Sequence, residues 1–182
     1  MKTIKLFSFV SMILLLSSCD ALSDVTSKTI EVKAPAIEFS IEGIDAVPQQ
    51  KVSGVNEIVW LDKQVDIKSV VETELEKDKL TILNVKSMDI ITSEIDLSTV
   101  ITKSYDLGNI KLYINNIEVA NGDGHLSPTE SVIKFTYTSP YSLYTFLNEG
   151  TVQLKITSTA AKPDIKFDMK LLNTYSIEIS LL

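Results

Sequence analysis

The sequence predicts an all-β fold, an antiparallel β-sandwich with one or two short helices. The main observation is an alternation of apolar and polar residues from Thr29 onward, clearest in 152–156, 165–171 and 175–181. A period of two is typical of strands that bury one face. The connections between these stretches, such as 172–174, are short. Short connections favour antiparallel strands, because parallel neighbours need long crossovers.

The first part of the domain contributes two strands and one helix to this prediction. Residues 29–41 and 57–61 are plausible first strands. Pro35 must then lie at a sheet edge or a bulge, because proline cannot donate a hydrogen bond to a central ladder. In 66–79 the apolar residues fall at helical spacing, and Asp66 is a candidate N-cap. We expect this helix to close one end of the sandwich.

The second part adds further strands and a second helical segment. Strands are predicted at 110–114 and 133–137, ahead of the three C-terminal stretches. Between them, Ser139 and Pro140 begin a segment with helical spacing that Gly150 can end as a left-handed cap. Two packed sheets built from such strands resemble the immunoglobulin domain in architecture. The Cys-Trp-Cys hallmark of true immunoglobulin domains is absent, so the likeness concerns architecture alone.

Residues 1–18 have the layout of a secretory signal peptide. Two lysines precede an apolar run, 6–16, which is shorter than the about 20 residues that a membrane-spanning helix needs. The only cysteine of the chain, Cys19, follows directly in the sequence Leu-Ser-Ser-Cys. This segment resembles the lipobox of bacterial lipoproteins. The resemblance implies cleavage before Cys19 and diacylation of its thiol.

The lipobox divides the chain into three parts. Residues 1–18 are the signal peptide, 19–28 form a small, polar, lipidated tether, and 29–182 form a single β-sandwich domain. An ordinary signal peptide with a chance cysteine and an uncleaved anchor are the weaker alternatives. Two or three acyl chains hold a domain at a membrane more firmly than one. We therefore expect a membrane-tethered protein.

The expected location is the bacterial cell envelope, at the outer membrane or the cell surface. Asp20 follows the cysteine and resembles a retention signal for the inner membrane in enteric bacteria. In other phyla, acidic residues near this position act as export signals. The leaflet therefore stays open.

Composition argues against nucleic acid as a partner. The net charge is −7, and removal of a leader with two lysines and no acidic residue makes it −9. The chain has no arginine, and so it lacks the fork-shaped donor that recognises phosphate and guanine. The mature chain must also fold without a disulfide, because Cys19 is its only cysteine.

The sequence contains no recognisable catalytic motif, and we expect no catalytic residue, cofactor or metal. His125 is the only histidine, so a histidine-based metal cluster cannot form. A weak calcium-loop candidate remains, because Asn121, Asp123 and Glu130 match ligand positions of an EF-hand loop. Val119 occupies the first position, where an aspartate belongs.

Four aromatic residues are the candidates for ligand binding. Trp60 could stack on a sugar ring, or it could belong to the core. Tyr137, Tyr141 and Tyr144 lie within eight residues of one another and could form an adaptable recognition patch. Core and corner positions are the alternative for these tyrosines.

Three functions are compatible with this sequence. We expect a lipid-anchored, non-catalytic sandwich that binds a protein partner or supports an envelope assembly, through a sheet edge or face. The alternative is a glycan-binding or adhesin-type surface module, which needs the aromatic candidates to be exposed and clustered. A small hydrolase is the third, and it needs two converging carboxyl groups in a cleft.

Overall fold

The predicted all-β sandwich is confirmed. A computed structural model describes residues 26–43, 57–137, 139–160 and 163–181. In these ranges two antiparallel sheets pack around one hydrophobic core, with one α-helix, α1 (Ile67–Leu75). The strands are β1 (Ser27–Lys33), β2 (Ile37–Ile41), β3 (Ile58–Asp66), β4 (Val85–Leu97), β5 (Tyr105–Ile114), β6 (Ile117–Leu126), β7 (Val132–Lys134), β8 (Thr136–Tyr137), β9 (Tyr141–Ser142), β10 (Thr151–Ser158) and β11 (Phe167–Ser180).

Each sheet has a simple order. Sheet A runs β1-β11-β4-β7, with β2 also pairing with β11 and β9 also pairing with β4. Sheet B runs β3-β10-β5-β6-β8. The predicted stretch 29–41 becomes β1 and β2, which are separated at Ala34-Pro35-Ala36 and pair with the same edge of β11. Pro35 therefore lies at a sheet edge, as predicted. Ser27 and Lys28, expected in the tether, already belong to β1.

The C-terminal strand is longer than the alternation predicts. The expected connection at 172–174 does not exist, and 167–180 form one continuous strand. Asn173 occupies an inward position in the alternation of buried residues and pairs with Ser93 of β4. Its polar side chain looks like a turn signal in the sequence. In the fold a hydrogen bond from the Ser93 hydroxyl compensates for its burial.

Two strands escaped prediction, each for a physical reason. β4 contains two register shifts against β11, next to Ile91 and Lys86, and each shift reverses which residues face the core. β6 contains Asn-Gly-Asp-Gly, which is also a common turn sequence. Its glycines are needed for close packing instead. A Cβ atom on Gly124 would lie 2.5 Å from the backbone oxygen of Gly108.

Helix α1 confirms the first helical prediction. The Asp66 side chain accepts a hydrogen bond from the Ser69 backbone N–H at 2.9 Å and so caps the helix. Ile67, Val71 and Leu75 are buried in the core. The helix and the turns after it connect the end of β3 in sheet B with the start of β4 in sheet A, and they close this end of the sandwich. These turns are the 3₁₀ segments Glu76–Asp78 and Ile82–Asn84.

The second predicted helix is wrong. Residues 141–142 form β9, which pairs with β4, and only Tyr144–Phe146 make a 3₁₀ turn. The Leu143 N–H donates to the Met88 carbonyl at 2.7 Å, which ties this segment to sheet A. Pairing with β4 therefore outweighs the local helical spacing. Gly150 does adopt the predicted left-handed conformation, with φ of 82°.

Candidate functional site

The sandwich ends its sheets differently on its two sides. On one side the edges are β3 in sheet B and the pair β1 and β2 in sheet A. Within the described ranges, β3 pairs with β10 alone, and β1 and β2 pair with β11 alone. On the other side the edge strands β7, β8 and β9 have two or three residues each. We call the first side the open side and the second the closed side.

A groove lies on the open side, between the edges of the two sheets. Its volume is about 250 Å³. One wall is the break between β1 and β2 with the first residue of β2, and the other is the second half of β3 with Val70 of α1. Asn173 and Tyr175 of β11 form its buried floor. We call this feature the edge groove, and its lining residues are 34–37, 63–66, Val70, Asn173 and Tyr175.

The floor of the edge groove is built on a chain of hydrogen bonds. The Ser93 hydroxyl donates to the side-chain oxygen of Asn173 and also contacts the Tyr137 hydroxyl. Serine has one hydroxyl proton, so Tyr137 is the donor in the second contact. This chain satisfies the Asn173 oxygen from within the core. Asn173 itself lines the groove and brings a side-chain amide to its floor.

The tyrosines near this floor are neutral hydrogen-bonding groups. Burial raises the pKa of Tyr175 to about 12. Burial also raises the pKa of Tyr137 to about 12, against the opposing effect of its hydrogen bond with Ser93. Both hydroxyl groups therefore stay protonated near neutral pH. The floor can therefore recognise a polar group through neutral hydrogen bonds.

The orientation of the β3 backbone follows from its neighbours. Gln153 of β10 donates its N–H to the Asn115 side-chain oxygen, and its carbonyl accepts from the Asn115 N–H, both at 2.9 Å. The peptide groups of Gln153 thus point toward β5 and away from β3. Gln64 lies opposite Gln153, so this is a non-hydrogen-bonded pair. The N–H and C=O of Gln64, and by alternation those of Asp62 and the N–H of Asp66, point out of the sheet on the open side.

Trp60 lies at the irregular part of β3. The register shifts between Ile156 and Thr157 of β10, and Trp60 is the extra residue opposite that step. Its side chain is partly buried and packs against the core. The regular part of the exposed edge is therefore 61–66.

The structure does not bring the four aromatic candidates together. Trp60 and Tyr137 lie on opposite edges of sheet B, four strand spacings or about 19 Å apart. Tyr137 and Tyr141 are partly buried and pack against the core, while Tyr144 is 44% exposed. Trp60 therefore shares no stacking platform with Tyr137.

The calcium-loop prediction fails on geometry. Asn121 and Asp123 lie in strand β6, paired with β5, and Glu130 follows in a separate turn. Strand pairing in sheet B holds this segment extended, so the loop that an EF-hand needs does not form. Asp123 and Glu130 do line one shallow groove of about 270 Å³, together with His125 and the cation of Lys134. In the part of the chain that the structure describes, no three His, Cys, Asp or Glu side chains are placed to hold a metal ion.

A second polar cluster lies on the outer face of sheet B. The Glu57 carboxylate accepts hydrogen bonds from Lys111 at 2.9 Å, Thr157 at 3.1 Å and Tyr113 at 3.4 Å. Lys111 also pairs with Glu118 at 3.3 Å. The hydrogen bond from Lys111 is the main reason that the pKa of Glu57 is lowered. Glu57 is therefore held as a carboxylate, and the cluster ties the start of β3 to β5 and β10.

The comparisons with known proteins do not assign the chain. No protein-family model matches it, and no curated protein sequence matches it either. In the described ranges, no helix is both long and apolar enough to cross a membrane. The predicted signal peptide, 1–18, and Cys19 lie outside the described residues. The lipid anchor therefore stays a prediction.

The edge groove was missed at the level of sequence. Asn173 interrupts an otherwise apolar stripe of inward residues in β11. A lone polar residue in such a stripe is a signal for a buried hydrogen-bonded site. The alternation on both sides of 172–174 keeps the same phase, which indicates one strand and not two. One continuous strand with this phase places Asn173 on the buried face, where it forms part of the groove floor.

Proposed function

We propose that this protein is a lipid-anchored protein of the bacterial cell envelope and that its non-catalytic sandwich binds an extended segment of a partner protein along β3. The observation that carries this proposal is the edge of β3 beside the edge groove, which no strand of the described ranges pairs with. An edge strand offers its backbone N–H and C=O groups to an added strand. The groove offers a place for the side chains of that strand.

The register of β3 defines what an added strand would contact. The outward peptide groups at Asp62 and Gln64, with the N–H of Asp66, are the available donors and acceptors, because the C=O of Asp66 belongs to the first turn of α1. An added strand would lie about 4.8 Å from β3, with alternate side chains pointing to the same face. Side chains on the inner face would point toward the edge groove. A polar one could accept a hydrogen bond from Asn173, and an apolar one would pack against Val65 and Val70.

Charged side chains on the same edge favour a specific partner over a second copy of the chain. Asp62, Lys63 and Gln64 are all exposed. Charges on an edge strand disfavour pairing with unrelated strands. A partner segment therefore needs complementary charges as well as extended backbone. The mixed sign of Asp62 and Lys63 selects for register, because a shift by one residue would place like charges together.

The anchor would keep this edge close to the membrane. Cys19 lies seven residues before Thr26, the first described residue. Seven residues span at most about 25 Å, whatever their conformation. A partner in the same envelope layer would then meet the domain at high effective concentration.

The binding edge is tested by site-specific photocrosslinking with the full chain in its host. A photoreactive amino acid at Lys63, beside the edge groove, is expected to give one dominant adduct. The same amino acid at Lys134, on the closed side, is the matched control and is expected to give none. Gln64→Pro removes one outward N–H and should abolish the adduct, whereas Gln64→Thr keeps the N–H and should retain it. An adduct that persists in Gln64→Pro would overturn binding by strand addition.

The anchor is tested separately. Metabolic labelling with a palmitate analogue should mark the wild-type chain and leave Cys19→Ala unlabelled. An epitope fused after Leu182 then reports the location by protease treatment of intact and lysed cells. Loss of the epitope from intact cells indicates the cell surface, and loss only after lysis indicates the interior of the envelope. An unlabelled wild-type chain would contradict the lipid anchor without bearing on β3.

A further inference from the structure

The exposed apolar side chains of this domain concentrate at one end. This end, which we call the α1 end, is where β4 begins and β11 finishes. Among the described residues, six large hydrophobic side chains are exposed, and four of them lie at the α1 end. The α1 end comprises α1, the turns in 76–84, the β5–β6 hairpin at 115–117, the segment 143–150, the start of β1 and Leu181.

Leu83 is the most exposed of these side chains. It is 91% exposed, Ile117 is 55%, Leu181 is 47% and Tyr144 is 44%. Leu83 lies at the centre of a 3₁₀ turn, Ile82–Asn84, in which the side chain of Asn84 accepts the backbone N–H of Thr81 at 3.0 Å. The turn therefore presents Leu83 to solvent by its hydrogen bonding. Exposed apolar groups that share one end of a domain can mark a surface that contacts something apolar.

The chain leaves toward Cys19 from this same end. The Leu181 N–H donates to the Thr26 carbonyl at 2.9 Å, so the start of β1 lies beside Leu181. The Asn84 side chain donates to the Ser180 carbonyl at 3.3 Å, which places the Leu83 turn next to the same strand ends. The site of lipid attachment, at most about 25 Å of chain from Thr26, is therefore tied to the apolar end.

We propose that the α1 end rests on the bilayer, with Leu83 inserted into its interface. This inference rests on the proposed lipid anchor. Near the turn, Lys28 pairs with Asp78 at 3.2 Å and Lys77 pairs with Glu74, and the exposed Glu76, Lys79 and Lys86 leave charges of both signs around them. The group most exposed at this turn is the apolar side chain of Leu83, so we expect a contact that does not depend on anionic lipid. One leucine binds a bilayer weakly, but an acyl anchor on the same chain supplies the effective concentration that makes the contact persist.

Val100 supplies a matched control on the other end. It is 89% exposed, close to the exposure of Leu83, and it follows the opposite end of β4. The 13 residues of β4 separate the two ends by roughly 40 Å. Both side chains are exposed, so substitution at either position leaves the core intact. Contact with lipid should distinguish them, whereas apolar character and exposure do not.

The experiment uses the full, acylated chain in vesicles of phosphatidylcholine. Leu83→Cys or Val100→Cys introduces the only free thiol, because Cys19 carries the lipid, and this thiol is labelled with an environment-sensitive fluorophore. Lipids with spin-labelled acyl chains then quench dyes that lie in the bilayer. We expect loss of fluorescence at position 83, none at position 100, and no effect of salt.

Each failure has a distinct signature. A chain that stays with the vesicles but shows equally little quenching at both positions overturns the bilayer contact and leaves the anchor standing. Quenching at position 83 that disappears in high salt overturns an apolar contact. A chain without an acyl group does not stay with the vesicles, and then the anchor and the contact fail together.

Discussion

The open and closed sides of the sandwich differ in how the edges of the two sheets are covered. Any sheet in a sandwich has edges, and an edge leaves backbone groups unpaired. On the closed side the chain itself crosses between the sheets at Phe135, leaving β7 in sheet A and β8 in sheet B. On the open side β3 runs for nine residues without a second partner among the described residues.

The closed side is held together by core contacts at its crossing point. Phe135 is buried, and its N–H donates to the Ser93 carbonyl at 3.0 Å. Ser93 also meets Tyr137 and Asn173 through its hydroxyl group. The open side has a groove where the closed side has a phenylalanine. Because this fold covers one pair of edges with its own chain, an edge that no described strand covers is a feature that function can use.

Truncating Phe135, where the chain crosses between the sheets, should have the largest effect on stability. Phe135→Ala deletes a buried aromatic ring and leaves a cavity between the sheets, which should lower the free energy of unfolding by about 3–5 kcal/mol. Phe39→Ala, on β2 at the open side, is the matched control, because Phe39 is only partly buried. Urea unfolding of both variants measures the difference. Equal losses would mean that the two sides are packed alike.

Alkaline pH should weaken the interior near the edge groove. The folded pKa values of Tyr137 and Tyr175 are raised from 10.0 to about 12. Between these values the unfolded chain loses its phenolic protons while the folded chain keeps them, so stability falls as pH rises from 10 to about 12. Each tyrosine should account for about 2–3 kcal/mol of that fall.

Phenylalanine variants isolate this contribution from that of other groups. Tyr175→Phe and Tyr137→Phe should each flatten the decline of unfolding free energy across this pH range. Tyr144→Phe, at an exposed tyrosine, is the control and should leave the slope unchanged. A wild-type slope retained in both buried variants would contradict the assigned cause.

The junction between β3 and α1 should show a smaller effect. Asp66→Ala removes the side chain that caps α1 and should cost about 1 kcal/mol. Asp66→Asn keeps an oxygen acceptor and should restore most of that loss. Thermal unfolding of the two variants gives the comparison. An equal loss in both would show that the charge matters more than the cap.

The smallest effect on stability is expected at the open edge itself. Gln64→Pro removes an N–H that points out of the sheet, so little unfolding free energy should be lost. Val65→Pro removes an N–H that pairs with β10 and should cost about 1–3 kcal/mol or more. This contrast checks the orientation of β3 without any partner. Similar losses in both would mean that the outward direction of Gln64 is wrong.

Prediction succeeded where local signals agree with the tertiary environment. The regular alternation of 152–156 became β10, and Asp66 begins α1 as its side chain requires. It failed where the tertiary environment overrides a local signal. The helical spacing after Pro140 does not produce a helix, because Tyr141 pairs with Ile90 of β4. Asn-Gly-Asp-Gly in 121–124 does not form a turn, because this segment pairs with β5.

The candidate site was harder to predict than the fold. Its floor depends on Asn173 and Ser93, which are 80 positions apart in the chain and meet only when β11 pairs with β4. Its walls come from opposite sheets, and no periodicity in either strand reports that they approach each other. Two register shifts in β4 further hide which of its residues face inward.

The sequence by itself determined the class of the fold, because alternation of period two requires one buried face per strand. It also determined the start of α1 and the position of Pro35 at an edge, since capping and the missing N–H act locally. Only the tertiary structure decided which edges stay open, where the edge groove lies and which apolar side chains share the α1 end. These features arise from pairing between distant segments. The free energy of such contacts depends on both segments together, so neither segment alone predicts it.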